Sequence, residues 1–171
     1  MKLAFENISG NVFTPTSEIL EQGFEASRKS PRKRMILPLH RSQEAKVQRM
    51  YNFMQPGTYI RPHLHPRDSA SESICVLQGA IAFFVFDDFG NPSSLIELDV
   101  SDLAKNVIDI EPNVWHSFLV LKPDTLLFET KMGPYSTTLD KTFADWAPEE
   151  NSKEAEAYLD YLNEINQRGK L

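Results

Sequence analysis

"GTYIRPHLHPRDSASESICVLQG", Gly57 to Gly79, sets two histidines one residue apart and a glutamate after a gap of six. The whole chain has 4 histidines, at positions 40, 63, 65 and 116, so the pairing demands a reading. On a strand, residues i and i+2 point to one face. His63 and His65 therefore project together if they lie on or just beyond a strand. Inside a barrel that brings two imidazoles to one point, as a metal requires, with a carboxylate or a third histidine completing the set. Glu72, at the head of the next apolar run, is a candidate third donor. His116, in "EPNVWHSFLV", is a candidate fourth. A histidine taken alone reads as a hydrogen-bonded structural residue; the set points to a metal.

The stretches around this segment are strand-like. Val47 to Met54, Ser73 to Leu77, Ala80 to Phe86, Ser94 to Leu98, Asn106 to Ile110, Ser117 to Leu121 and Thr125 to Thr130 are short runs rich in Val, Ile, Leu and Phe. "QPG", "DDFGNP", "EPN", "KPD" and "MGP" separate them as turns. Many short strands with regular turns predict a mainly β chain, a sandwich or barrel. Both ends read as helical. From Ser17 to about Lys29, Ile19, Leu20, Gly23 and Phe24 share a face. Near the C-terminus, Pro148, Glu149 and Glu150 suit a helix start, Tyr158, Tyr161, Leu162 and Ile165 form a stripe, and Gly169 suits the stop. The stripe predicts packing against the barrel or a partner subunit. The expected division is residues 1–45 as N-terminal helix and leading strand, 46–135 as barrel, and 136–171 as C-terminal helical extension.

A chain of 171 residues with 41% hydrophobic and 25% charged residues reads as one globular domain. A net charge of −6 argues against general nucleic-acid binding. The basic run "RKSPRKR", Arg28 to Arg34, is either a solvated segment or a source of an inward-turned arginine, Arg34 among them, for an anionic ligand. A single cysteine, Cys75, excludes an internal disulfide. No apolar run has the length of a signal peptide or a membrane span, so the expectation is a cytoplasmic protein without a membrane partner.

The motifs then resemble the cupins. Gly57, five residues, His63-Leu64-His65, Glu72, six residues and Gly79 follow the first cupin motif, with a longer gap before Glu72 than its usual three or four. The second motif keeps His116, with Glu111 and Asn113 in place of its Pro and Gly. Asn is the next-best residue for a left-handed backbone position, so the turn can survive. "SPRKR", "LPLH", "VQRM", "PGTYIRPHLHP", "VLQG", "FDDFG", "FETKMGPY" and "FADWAPEE" are similar to the WbuC-type cupin family, covering about Ser30 to Glu150. The resemblance implies a single cupin barrel, a double-stranded β-helix or jelly roll with N- and C-terminal helices. It implies a metal site at His63, His65, Glu72 and His116, and an association with bacterial O-antigen and polysaccharide gene clusters. Homodimers are common among cupins. The donor set does not choose among zinc, iron, manganese and nickel.

Further residues are candidates for the pocket. Arg61 and Tyr59 share strand parity with His63. Arg61 reads as an anchor for a carboxylate or phosphate, or as half of a structural ion pair. Tyr59 reads as a general acid or as core with a satisfied hydroxyl. Arg49 flanks the same region. His40 is an acid/base group at the pocket mouth or an ordinary polar contact. Glu129 is a buried polar partner or a catalytic base. Trp115 is core or a sugar-stacking platform, and Cys75 faces away from Glu72. Three functions fit: a metal-dependent enzyme, such as an isomerase or dioxygenase, on a sugar or sugar nucleotide; a non-catalytic metal-dependent module binding a sugar or carboxylate; and a metal-free sugar epimerase using a His and Tyr pair.

Overall fold

The computed structural model describes residues 3–68, 70–136, 138 and 140–169. In chain order these form α1 (Ser17–Lys29), β1 (Arg34–Pro38), β2 (Val47–Met54), β3 (His63–Leu64), β4 (Glu72–Gln78), β5 (Ala80–Phe86), β6 (Pro92–Asp99), β7 (Val107–Ile110), β8 (Trp115–Val120), β9 (Thr125–Met132), β10 (Thr142–Phe143) and α2 (Lys153–Arg168). One sheet has the order β1-β2-β9-β4-β7, the other β10-β3-β8-β5-β6. All of the strand pairings within them are antiparallel. The two sheets face each other as a jelly roll.

Burial explains which strands alternate and which do not. Between the sheets lie Met54, Ile74, Val76, Ile81, Phe83, Ile110, Phe118 and Leu127. The outer face of the second sheet is covered by α2, where Leu162, Tyr158 and Ile165 meet Ala82, Phe84, Phe86 and Leu119. The outer face of the first sheet is covered by α1, where Phe24 meets Leu37, Phe53 and Leu126. β5 is thus buried on both faces, and its "AIAFFVF" is a continuous apolar run rather than an alternating one.

The N-terminal helix has the expected bounds. Thr16 caps it by accepting from the Ile19 N–H, and Arg28 and Lys29 complement its negative end. The C-terminal helix begins later than the Pro148 start that the sequence suggests. Ser152 caps it, accepting from the Ala155 N–H at 3.2 Å, and Asn151 turns the chain with φ of 68°. Glu150 lies before the helix because its carboxylate is committed elsewhere, to Arg34 and Arg32. Gly169 ends the helix in the left-handed conformation. β3 is only two residues long, with Pro62 and Pro66 close on either side removing N–H donors. No described helix is long and apolar enough to cross a membrane.

Gly23 allows α1 to sit close to the sheet. A Cβ there would lie 2.4 Å from atoms of the Phe53 ring, which is itself fully buried. Gly23→Ala brings about 1 kcal/mol of helix propensity but inserts a methyl where the ring cannot withdraw, at a cost of about 1–3 kcal/mol. We expect a net loss of stability in urea denaturation; an unchanged or raised midpoint would show that the ring moves aside.

Candidate metal centre

The sheets bring the four donors together from separate parts of the chain. His63 on β3 pairs directly with His116 on β8. His65 follows two residues on, and Glu72 opens β4 in the facing sheet. The six-residue gap before Glu72 closes as a loop. Ala70 N–H turns back to the Arg67 carbonyl, and the Arg67 guanidinium donates to the carbonyls of Met132 and Pro134. Asn113 adopts φ of 64°, the left-handed turn expected of it, and its N–H donates to the His65 carbonyl at 3.0 Å. The second-motif turn thereby braces the first-motif histidine. The His116 ring stacks on Phe83 with centroids 5.6 Å apart.

One candidate ligand atom from each of His63, His65, Glu72 and His116 falls within 4.8 Å of all the others, and all four residues are buried. Their outer nitrogens decide which way the rings face. Nδ1 of His63 lies 3.0 Å from the Arg61 carbonyl, that of His65 2.5 Å from the Asp140 carbonyl, and that of His116 2.8 Å from the Val114 carbonyl. A carbonyl accepts, so each neutral ring carries its proton on Nδ1 and turns the Nε2 lone pair inward. Nε2 of His65 and of His116 sit 3.3 and 3.2 Å from the Glu72 carboxylate, yet both are buried without a hydrogen-bond partner. Lone pairs converging on a carboxylate, away from water, fit a cation better than one another.

Charge follows the same geometry. Burial alone would raise the Glu72 carboxyl. The charge of Lys131 works against burial and favours the ionised carboxylate. Burial, with the nearby Lys141 and His116, lowers His63 well below an ordinary histidine, so its ring is neutral and able to ligate.

The cluster lines one wall of a cavity of about 450 Å³. The inner faces of β1, β2 and β9 supply much of the rest, with Met50, Asn52, Glu129 and Lys131 among them. Glu129 accepts from Asn52 Nδ2 at 2.8 Å and lies 3.7 Å from Lys131. Burial first, and the Glu72 charge second, push its carboxyl up to about 7. Lys131 also pairs with Asp140 at 2.9 Å. Burial would lower its ammonium, but Glu129, Glu72 and Asp140 raise it, so it stays charged. His40 also lines the cavity. Its Nδ1 sits at the Arg49 backbone and its Nε2 is buried and unpartnered.

The other pocket candidates lie elsewhere. Arg61 donates to the Ala144 carbonyl and lies over the Phe143 ring, and it is not among the cavity-lining residues. The parity argument fails because the strand starts only at His63. Tyr59 fails for the same reason: its hydroxyl donates to the Pro148 carbonyl at 2.9 Å, and burial raises its pKa. Arg49 is exposed. Arg34 does turn inward, but it is held by Glu150 at 2.6 Å, by Thr58 and by the Tyr59 carbonyl. Arg34, Arg32 and Glu150 stand between the cavity and a separate outer groove of about 470 Å³ beside α2. Trp115 packs against Trp146 and donates to Asp88. Sequence reasoning missed Lys131, Asn52 and Lys141 as cavity residues. No periodicity marks Lys141, and the other two lie within strand runs without any motif.

Residues 16–98 match a family model described as a domain of unknown function, DUF6016. No curated protein matches the chain by sequence. Among solved structures, oxalate oxidase in complex with the substrate analogue glycolate aligns with a TM-score of 0.51 at 16% identity, over 67% of this chain and 57% of that one. Protein SO0799 from Shewanella oneidensis aligns with a TM-score of 0.50 at 13% identity, over 63% of this chain and 72% of that one. The fold is that of the cupins. This chain aligns with little more than half the length of the oxalate oxidase chain, and at such identities the likeness is one of fold.

In this cupin barrel the Arg34–Glu150 pair ties the segment before α2 to β1. Arg34 is 9% exposed. Arg34→Met leaves the Glu150 carboxylate and the Tyr59 carbonyl without that partner, and we expect a loss of about 2–4 kcal/mol in urea denaturation. A loss under about 0.5 kcal/mol, the level of a surface substitution, would show that the pair does not hold the segment.

Proposed function

We propose that this protein is a metal-dependent cupin of the WbuC type that acts on a small polar molecule, sugar-related, within the central cavity. The observation behind this reading is the inward convergence of three Nε2 atoms on Glu72, each ring fixed by a carbonyl at its far nitrogen. His63, His65, Glu72 and His116 would hold a divalent ion. Bound there, such an ion supplies Lewis-acid polarisation of a ligand oxygen or activation of water.

The chain's own residues do the rest. Glu129, with its carboxyl near neutrality and Asn52 fixing one oxygen, is placed to take or give a proton in the cavity. His40 lines the same cavity, with its Nε2 buried and unpartnered. Met50, Met54, Ile74 and Phe118 keep the inner wall apolar and exclude water. The substrate link to bacterial polysaccharide building blocks rests on the WbuC-type resemblance. A metal-free epimerase needs a histidine facing a tyrosine hydroxyl, and the Tyr59 hydroxyl proposed for that role is bonded to Pro148 instead.

Two measurements test the reading. Metal analysis of protein purified without a histidine tag should give near-stoichiometric divalent metal, falling below about a tenth of that in His63→Ala, because removing one of four donors opens the site. Retained metal in the variant would defeat the site assignment. Adding the cognate ion to metal-free protein at about a hundredfold excess over its Kd should stabilise the fold by about 2.7 kcal/mol in thermal denaturation, and Glu129→Gln should keep this response while losing turnover on a sugar or sugar-nucleotide panel. Full turnover in Glu129→Gln would remove that residue from the chemistry.

A further inference from the structure

Four cations and four carboxylates line the cavity: Arg32, Arg34, Lys131 and Lys141 against Glu72, Glu129, Asp140 and Glu150. Arg32 and Arg34 are taken by Glu150, and Lys131 by Asp140 and Glu129. Lys141 has no hydrogen bond or ion pair to any described residue. Its ammonium sits 5.9 Å from the centre of the Phe143 ring. β10 pairs with β3 so that Phe143 opposes His63 and Thr142 opposes Leu64. Carrying that register on by one residue sets Lys141 opposite His65, on the face that carries the ligand histidines. Lys141 is therefore a half-buried residue of the cavity lining, beside the four clustered donors.

A divalent ion would leave this lining with a positive surplus. Surplus positive charge in a cavity of low dielectric is costly unless an anion balances it. We propose that Lys141 anchors the anionic group of the cavity's ligand, and that the ligand is a small carboxylate bound between the Lys141 ammonium and the metal centre. One ammonium suits a carboxylate, whereas a phosphoryl group draws on several donors at once. This assignment rests on the metal-dependent reading above and adds the charge class of the ligand. It also gives the cavity the carboxylate-facing cation that the sequence sought among the arginines.

The test uses the full chain loaded with cobalt(II), with metal content measured first and ligand binding followed by the visible spectrum. The probes are glycolate, its neutral amide glycolamide, and inorganic phosphate. Native protein should bind glycolate at least about tenfold more tightly than glycolamide, the value of one charge-assisted hydrogen bond, and more tightly than phosphate. Lys141→Met should lose that preference with cobalt content and melting temperature unchanged, and Lys141→Arg should restore most of it. Equal glycolate binding by native protein and Lys141→Met, or no preference for glycolate over glycolamide in native protein, overturns the assignment while the metal reading stands. Tighter binding of phosphate than glycolate overturns the carboxylate class. Failure of native protein to hold cobalt defeats the metal reading itself, and the Lys141 assignment falls with it.

Discussion

Each of the three clustered histidines spends its Nδ1 on a main-chain carbonyl, that of Arg61, Asp140 or Val114. With the outer nitrogen fixed, the ring can only turn its Nε2 lone pair to the centre. The carbonyls come from the approach to β3, the segment before β10 and the turn before β8. The centre is thus oriented by backbone brought together from distant parts of the chain. Glu72 completes it from the opposite sheet, across the barrel interior. A four-donor site of this kind requires both sheets and could not exist in either alone.

The layers around it follow from the need to bury two sheets on both sides. Helix α1 covers one and α2 the other, which makes β5 apolar along its whole length and leaves the interior free for a cavity. Polar residues enter that interior in pairs. Glu129 is met by Asn52 and Lys131, Asp140 by Lys131, and Glu150 by Arg34 and Arg32. A buried charge that lacks a partner is expensive, so paired charges are structural furniture and an unpaired one points to a ligand. The inward arginine, Arg34, belongs to the first class, because Glu150 reaches it from a segment 116 residues away.

Prolines limit how far strand reasoning extends. Pro62 and Pro66 confine β3 to His63 and Leu64. Alternation therefore holds for His63 itself but not for Arg61 or Tyr59, whose side chains follow an irregular path to the Ala144 and Pro148 carbonyls. The segment that receives them, from Ala144 to Glu150, forms no strand or helix, yet its Ala144 and Pro148 carbonyls and its Glu150 carboxylate bind Arg61, Tyr59 and Arg34.

Local chemistry in the sequence determined most of the strands between Val47 and Thr130, the first helix, the Asn113 turn and which four residues cluster. Each depends on a short-range rule: alternation, a cap, a left-handed backbone, or donor types at fixed spacing. Tertiary structure alone decided which cavity cation has no ion-pair partner among the described residues, why α2 starts at Lys153, and how Lys131, Asn52 and Lys141 reach the cavity. Those outcomes depend on charge pairs and sheet register between residues far apart in the chain, and no local pattern records which carboxylate will meet which cation.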